Sequence, residues 1–442
     1  MALATSLLPQ TTTIRLTPWQ QWHNFAEPRD MHDWLRRAHG DLAAMHFQGR
    51  DHIMVLTPES AREVFTQDPY MYDAFWKESF AGMNGQDSLW VLIGERHRKE
   101  RNLFAPAVHA NHYRGYGETI RQIARAKFEK WQPGADIKAI DTTMTISLDV
   151  IMSLVFGVEE GEVMREGCKL VHTLTHTAHP LIVFYPKLQR NWFPLWWPYV
   201  NAKKNLYAWM QKLLDDRRAN HIEVDDVMGV LMKATDEAGN PVSDEHICNE
   251  LLSVLTAGQM TTAVATAWGL YELGRHPEVV VRLRAELDAL GPAPDPNLVL
   301  TSLPYLDAVA KETIRLHPIL SECARIPMES VQIGTRTVRP PQALVVSIVS
   351  IHHDPNTYPE PDAFKPERFL ERKYNIYEFL PFGGGHRRCM GAGLAEYTIR
   401  LALAEAVTRW DFETTRLDKD IRHDLAMGPK YGVPLHIIGR RE

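Results

Sequence analysis

Apolar residues recur at helical spacing along most of the chain, and proline and glycine interrupt the pattern between successive segments. Two of the later helices are predicted near residues 303–317, where His317 is followed by Pro318, and from about Ala392 to Arg409. Together with earlier helices near residues 113–131, 141–156, 160–177 and 200–219, they indicate a mainly α-helical chain.

Strand-like segments are fewer, and they cluster in a few places. Residues 46–56 place apolar runs on both sides of Gly49-Arg50-Asp51, which predicts a hairpin. After Pro318 the pattern becomes strands and turns to about residue 352, and the segment after Trp410 is also strand-like. The predicted fold class is therefore mainly α with a minor β portion. Its β-rich part is expected at about residues 40–70 and 320–370.

The segment from Leu251 to Tyr271 contains no charged residue and is long enough to cross a bilayer. Its many hydroxyl and amide side chains argue against an isolated helix in lipid. A helix that is apolar nearly all round is otherwise buried at the centre of a large protein. Ser243 fits an N-cap, with acidic residues in the first turn. We therefore predict a long central helix and no transmembrane anchor.

Composition narrows the class of protein. The 442 residues, 45% of them hydrophobic, are enough for a large core. No flexible linker, low-complexity run or internal repeat divides them, so residues 1–442 are predicted to form a single domain. The net charge of −6 argues against nucleic acid as a partner. The first residues lack the features of a signal peptide, which favours a cytoplasmic location.

The four cysteines are far apart, with no Cys-x-x-Cys pair. Cys168, Cys248 and Cys323 fit ordinary buried thiols. Cys389 differs because three glycines and two arginines precede it, and a predicted helix begins there. Helix N–H groups and nearby cations favour the thiolate, which would be a nucleophile or a metal ligand. The alternative is an inert cysteine in a glycine-rich helix entry.

The segment FGGGHRRCMG resembles the heme-binding loop of the cytochrome P-450 family, F-x-x-G-x-R-x-C-x-G. It matches at every fixed position: Phe382, Gly385, Arg387, Cys389 and Gly391. The resemblance implies heme b with the Cys389 thiolate on the iron, and Phe382 packed beside the sulfur. It also implies the family's triangular-prism fold, in which a long central helix lies over the heme.

Three further matches occur in the family's order. The first is KETIRLHP, in which Glu312 and Arg315 lie one turn apart and can pair, as in the family's E-x-x-R helix. Arg368 in PERF is the family's third member. The resemblance implies a buried cluster of these three residues that holds the heme loop. Their role would be structural, because buried charges must be paired.

The second match lies on the central helix, where AGQMTT is similar to A-G-x-[D/E]-T-[T/S]. The resemblance implies that Ala257 and Gly258 leave room for oxygen and that Thr261 helps to deliver protons. An intrahelical threonine can instead bond its own i−4 carbonyl. The match breaks at Met260, where most members have an acid. Either Gln259, a water or a substrate group replaces that acid, or the reaction needs less proton delivery.

The third match is GERHRKER, which resembles the helix that carries partners of the heme propionates. His97 and Arg101 share one face of this helix. The resemblance gives Arg325 in ECARIP and Arg387 as the other two partners. Cationic and hydrogen-bonding groups suit two buried carboxylates.

Four regions correspond to the family's substrate-contacting segments: residues 75–92, 172–200, 319–324 and 427–432. We expect substrate contacts from Leu89, Trp90, Phe184 and Leu320, and from Met260. The alternative for each of these side chains is a place in the core. If these side chains line a substrate cavity, they indicate a small apolar or aromatic ligand.

The implied function is a heme-thiolate monooxygenase that uses O2 to hydroxylate or epoxidise a small apolar substrate of natural-product type. The chain is too short for a fused reductase, so electrons must come from a separate ferredoxin or flavodoxin with its NAD(P)H reductase. The basic stretch from Arg96 to Arg101, with Arg388, would dock an acidic partner. Met260 leaves open oxidative coupling or desaturation, and less favourably a heme-based ligand sensor.

Overall fold

The computed structural model describes residues 13–47, 49–108, 113–235, 239–291, 294–423 and 425–441, and helices dominate them. The predicted early helices occur at Gly117–Phe128, Ala139–Phe156, Glu162–Thr177 and Trp196–Ala219. The later two occur at Pro304–Leu316 and Ala392–Arg409. The other helices of four or more residues are Pro18–Ala26, Pro28–His39, Pro58–Thr66, Lys77–Asn84, Gly94–Val108, Pro180–Phe184, Val227–Met232, Pro277–Asp288, Pro296–Thr301, Ile348–His352 and Arg368–Glu371.

The long helix predicted around Leu251–Tyr271 spans Asp244–Leu273, and we call it the central helix. Ser243 caps it by accepting the backbone N–H of His246 at 3.2 Å. Its second half is buried almost completely, against Ala139–Phe156 on one side and Ala392–Arg409 on another. The burial explains why this helix has no polar face.

One helix in the described part of the chain, Ala139–Phe156, is long and apolar enough to cross a bilayer by length and composition. Its residues Ile146, Val150 and Leu154 belong to the same hydrophobic cluster as Trp268 of the central helix. Core helices of folded proteins pass the same test, so the feature is weak evidence for a membrane span.

Six strands form the main sheet. Its central antiparallel hairpin pairs Leu42–Phe47 with Arg50–Val55, with His46 opposite Asp51. The predicted hairpin is therefore present, although its first strand begins before His46; Gln48 lies outside the described residues. The order across the sheet is Ile14–Arg15, Leu42–Phe47, Arg50–Val55, Ala343–Ser347, Glu322–Pro327 and Tyr72–Ala74.

The β-rich part is narrower than the sequence suggests. Residues Pro58–Thr66 form a helix, because Thr57 and Ser60 make a capping box around Pro58. The strands after Pro318 end at Ser347, whose side chain caps the short helix Ile348–His352. The remaining strands are Trp410–Thr414, Pro434–Arg440 and Asp136–Lys138 in one sheet, Asp420–Arg422 with Met427–Pro429, and Val331–Ile333 with Arg336–Val338.

The buried side chain of His317, which follows the helix Pro304–Leu316, joins that helix to two other elements. Its Nδ1 lies 2.8 Å from Asp420 Oδ2 in the C-terminal hairpin, and its Nε2 lies 2.8 Å from Glu272 Oε1 in the central helix. The ring stacks on Trp268 with a centroid separation of 3.8 Å. Burial alone would lower the pKa of His317, but Asp420 and Glu272 together raise that pKa to about 9.

We expect the stability provided by His317 to depend on pH. The folded-state pKa of about 9 lies above the ordinary 6.5, so the contribution is complete below about pH 6.5. It disappears as the pH rises through 9, and its size is roughly 3 kcal/mol. The Tm gap between the wild type and His317→Gln should therefore shrink from pH 7 to pH 10.

The control for this measurement is His436→Gln. His436 also lies 2.8 Å from a carboxylate, that of Asp136, but the pair is exposed at the surface. Its substitution should change Tm little at either pH. An equal Tm gap for His317→Gln at pH 7 and pH 10 would contradict the charged-histidine interpretation.

Candidate active site

A cavity of about 670 Å³ lies beside the central helix. The cysteine loop (Phe382–Gly391) and the helix Gly94–Val108 both contribute to its wall. Most of the remaining wall is aliphatic and aromatic, which is typical of sites for apolar small molecules. Glu322 and Arg422 form a polar part of the lining and are ion-paired at 2.7 Å.

The cysteine loop folds tightly because its glycines allow it. Gly383 and Gly385 both have φ of +66°, a conformation that other residues rarely adopt. A Cβ on Gly384 would lie 2.6 Å from the ring of Phe65. The Cys389 N–H donates to Phe382 O at 3.0 Å and closes the loop. The accessible surface of Cys389 faces the cavity.

The helix that follows Cys389 begins at Ala392, as predicted, three residues after the cysteine. The N–H of Gly391 still points at the sulfur. Burial raises the pKa of Cys389, and this outweighs the opposing effects of the Gly391 N–H, Arg388 and Arg101. The protein groups around the sulfur therefore do not by themselves lower the pKa of this thiol, and the thiolate stays a prediction. A metal ion would deprotonate the sulfur outright.

Four basic side chains converge on the cavity: His97, Arg101, Arg325 and Arg387. Burial and mutual repulsion lower the pKa of Arg387 to about 10 and that of His97 to about 3. In the described residues, none of the three guanidinium groups pairs with a carboxylate within 4.0 Å, and Arg387 Nε is buried without a partner. The arrangement therefore fits a ligand that carries two carboxylates.

Glu312, Arg315 and Arg368 form a buried ion cluster. Arg315 donates to both oxygens of Glu312, at 2.6 and 2.8 Å, and Arg368 Nε donates to Oε1 at 2.9 Å. The backbone N–H of Lys365 also donates to Glu312, at 2.9 Å. Glu312 and Arg315 are completely buried. The cluster therefore joins the helix Pro304–Leu316 to the segment around Arg368.

The face of the central helix that lines the cavity carries Ala257, Gly258, Met260 and Thr261. Thr261 Oγ1 donates to Ala257 O at 2.8 Å, which is the i−4 bond that the sequence left open. Gly258 has a packing role that sequence reasoning missed, since a Cβ there would lie 2.5 Å from Ile151. A larger residue at this position would require the Ile151 side chain to shift.

All the expected substrate-contact residues line the cavity: Met260, Leu89, Trp90, Phe184 and Leu320. Trp90 stacks on Phe80, with ring centroids 4.7 Å apart. The broader region 172–200 contributes only in part, because Trp192 and Trp197 are exposed at the surface. The last of the four predicted regions, residues 427–432, was misplaced as well. The cavity is lined by residues 422, 425 and 426, and none of residues 427–432 contributes to its wall.

Sequence reasoning missed other lining residues, among them Phe25 and Glu250. Phe25 from the helix Pro18–Ala26 packs edge-on against Phe184, with ring centroids 4.9 Å apart. No local sequence pattern predicts this contact. Glu250 precedes the uncharged stretch of the central helix, and it is completely buried at the cavity wall. Burial and the nearby Glu100 raise the pKa of Glu250 well above its usual range. Its signal in the sequence was an acid next to an otherwise apolar helix.

The sequence comparisons agree with one another. The cytochrome P450 family model matches residues 9–433. A protein named cytochrome P450 135B1 from Mycobacterium tuberculosis is 30% identical over 419 residues, covering 92% of this chain and 86% of the relative. A protein named cytochrome P450 138 from Mycobacterium bovis is 28% identical over 387 residues, covering 86% and 85%. The chain belongs to the cytochrome P450 family.

Solved structures share the fold. The retinoic acid-bound cyanobacterial CYP120A1 aligns with a TM-score of 0.83 at 22% identity, covering 95% of this chain and 96% of the other. The cytochrome P450DA heme domain aligns with a TM-score of 0.82 at 22% identity, covering 97% of each chain. The predicted fold class, mainly α with a minor sheet, is confirmed. As a family member, the chain is a heme b monooxygenase.

Replacement of Cys389 by His should abolish the long-wavelength absorption of the ferrous–CO complex that thiolate ligation gives. The matched control is Cys323→Ala, because the Cys323 side chain also lines the cavity. That variant should keep the band. A band that survives in Cys389→His, or disappears only in Cys323→Ala, would show that another residue binds the iron.

Removal of the Glu312 side chain should prevent assembly of holoprotein. Glu312→Ala leaves two buried guanidinium groups without their carboxylate, at a cost of about 3–5 kcal/mol. The heme content per chain measures the effect. The control is Glu360→Ala, which removes an exposed partner of Lys365 and should leave heme content unchanged. Normal heme content in Glu312→Ala would contradict a role for the cluster in assembly.

Proposed function

We propose that the enzyme hydroxylates or epoxidises a small apolar or aromatic substrate of natural-product type. The observation that carries the proposal is the apolar cavity, into which the Cys389 sulfur and Thr261 both face. The aromatic part of its wall supports a flat or hydrophobic ligand. It includes Phe25, Phe75, Trp76, Phe80, Trp90 and Phe184.

The residues around the cavity take the following proposed roles. Cys389 is the iron ligand, with Phe382 and Gly391 beside it. Two carboxylates of heme b would be neutralised by Arg101, Arg325 and Arg387, and neutral His97 would hydrogen-bond to one of them. The buried ion cluster of Glu312, Arg315 and Arg368 positions the cysteine loop. The bound heme supplies oxygen activation.

Proton supply is the part of the proposal that departs from the family pattern. Thr261 Oγ1 donates its hydrogen to Ala257 O. Its lone pairs therefore remain free to accept a hydrogen bond from a donor in the cavity. Met260 offers no proton there. Gln259 is buried, and its Oε1 has no partner within the described residues. Its amide can orient a water but cannot change its own charge.

Met260 favours a second outcome on the same site. Its thioether lies in the cavity wall, where a flexible apolar side chain adapts to an irregular ligand. A substrate that supplies its own protons would need no acid at this position. Oxidative coupling or desaturation is therefore the alternative reaction. A non-catalytic ligand sensor is less favoured, because it would not need Thr261.

We further propose that the chain forms a single domain that acts in the cytoplasm. Electrons would come from a separate ferredoxin or flavodoxin with its NAD(P)H reductase. Arg388 is exposed within the cysteine loop and supports an acidic docking partner. The support from the neighbouring helix is weaker, since Arg96 pairs with Asp87 and Arg98 pairs with Glu95.

A spectral binding screen of the ferric protein with apolar metabolites, followed by turnover with surrogate redox partners, tests this function. The expected result is substrate-dependent NADPH consumption with an oxygenated product. Ligand binding without any substrate-dependent consumption would favour the sensor. A product that lacks new oxygen would favour the coupling or desaturation alternative.

The pair of variants Thr261→Ala and Met260→Glu separates the two reactions on an identified substrate. If protons come through the protein, Thr261→Ala should divert electrons to hydrogen peroxide and lower the product formed per NADPH. In that case Met260→Glu should improve coupled turnover. If the substrate supplies the protons, as the cavity contact of Met260 suggests, Thr261→Ala should change coupling little. Met260→Glu should then fail to raise turnover. A clear gain from Met260→Glu would contradict the substrate-contact role.

A further inference from the structure

Three polar side chains that the heme does not use meet beside the cavity: Glu100, His246 and Glu250. Glu100 lies on the helix Gly94–Val108, and the other two lie one turn apart on the central helix. His246 Nε2 is 2.8 Å from Glu100 Oε1. One donor atom from each residue lies within 4.8 Å of the other two. The three residues, which we call the Glu-His-Glu cluster, are already close enough to share one ion.

Glu250 points to a missing partner in this cluster. Its side chain is completely buried, and Oε1 accepts the N–H of Leu89 at 2.7 Å. Oε2 is also buried, and within the described residues nothing bonds to it. A buried carboxylate oxygen without a partner is costly. Glu100 is also buried, so two acids share a single imidazole, and a cation would give the unpartnered oxygen a ligand.

We propose that the Glu-His-Glu cluster binds one divalent transition-metal ion, with Zn²⁺ as the best match. An imidazole nitrogen and carboxylate oxygens are ligands that Zn²⁺ accepts at about 2.0–2.2 Å. Donors around such an ion are separated by less than the 4.8 Å limit seen here, so a small contraction completes the site. Three protein ligands leave one position for water. Mg²⁺ and Ca²⁺ suit the cluster less, since they prefer six or more oxygen ligands.

The ion would hold three parts of the cavity wall together. Glu100 belongs to the helix that also carries His97 and Arg101. Glu250 and His246 belong to the central helix, and Glu250 is bonded to Leu89 in the loop that also contributes Trp90 to the wall. Binding of the metal to the folded protein alone would therefore raise Tm. This inference concerns a site outside the heme machinery and does not depend on the substrate.

A pair of histidines elsewhere on the protein can also bind zinc, and both must be substituted before the Glu-His-Glu cluster is tested. His172 and His176 lie one turn apart on an exposed helix face, with ring centroids 3.9 Å apart. Two histidines at this spacing can chelate a metal without any built site. The test therefore uses the holoenzyme with His172→Ala and His176→Ala as its background.

The experiment titrates this background with Zn²⁺ against a chromophoric chelator, and measures bound zinc after dialysis and Tm. About one zinc per chain and a zinc-dependent rise in Tm are expected. Glu250→Gln should weaken the affinity about tenfold or more and remove the rise in Tm. Glu245→Gln is the matched control, because Glu245 is exposed on the same helix and the change is identical. Its zinc affinity should be that of the background.

The ferrous–CO spectrum checks that each variant is folded. If Glu250→Gln yields no holoprotein, Glu100→Gln on the other helix makes the same comparison. The background protein also tests the proposal by itself, since absence of bound zinc and of any Tm change at micromolar Zn²⁺ would overturn it. Unchanged zinc affinity in folded Glu250→Gln or Glu100→Gln would overturn it as well.

Discussion

The arrangement of the active site depends on one buried carboxylate, that of Glu312. Its two oxygens accept hydrogen bonds from Arg315, Arg368 and the backbone N–H of Lys365. Two cations and one anion buried together are stable only while all their bonds are made. The segment around Arg368 therefore cannot move away from the helix Pro304–Leu316 without a large loss of stability. This constraint fixes a part of the chain that has little regular structure.

The same network extends to the start of the cysteine loop. Arg315 donates to the carbonyl of His352 at 2.7 Å, and the Nε2 of His352 accepts the N–H of Leu380 at 2.8 Å. Burial lowers the pKa of His352 to about 3, so the ring stays neutral and can accept this bond. Leu380 lies just before Phe382, where the loop begins. The loop that presents Cys389 is thus held by bonds that trace back to Glu312.

Much of this could be predicted from the sequence, because the strongest signals are local. The helix around Leu251–Tyr271 has no charged residue, so only a buried position suits it, and the structure buries it. The glycines before Cys389 predict a tight loop, and two of them have positive φ in the structure. Glu312 and Arg315 are separated by one turn of a helix and do pair. In each case the interacting groups are neighbours in the chain.

The parts that could not be predicted depend on contacts between distant segments. The residues that flank Gly258 in the sequence do not reveal that Ile151 fills the space beside it. The residues that flank Glu250 do not reveal that Glu100 lies close. The environment of the Cys389 thiol was incompletely predicted for a related reason: nearby N–H groups and arginines are visible in the sequence, whereas the burial that raises the pKa of the thiol is not. Burial penalises an isolated charge, and pairing with an opposite charge offsets the penalty. The buried basic groups around the cavity therefore need anions before the charges of the site balance, and a metal cation would stabilise the thiolate form of Cys389.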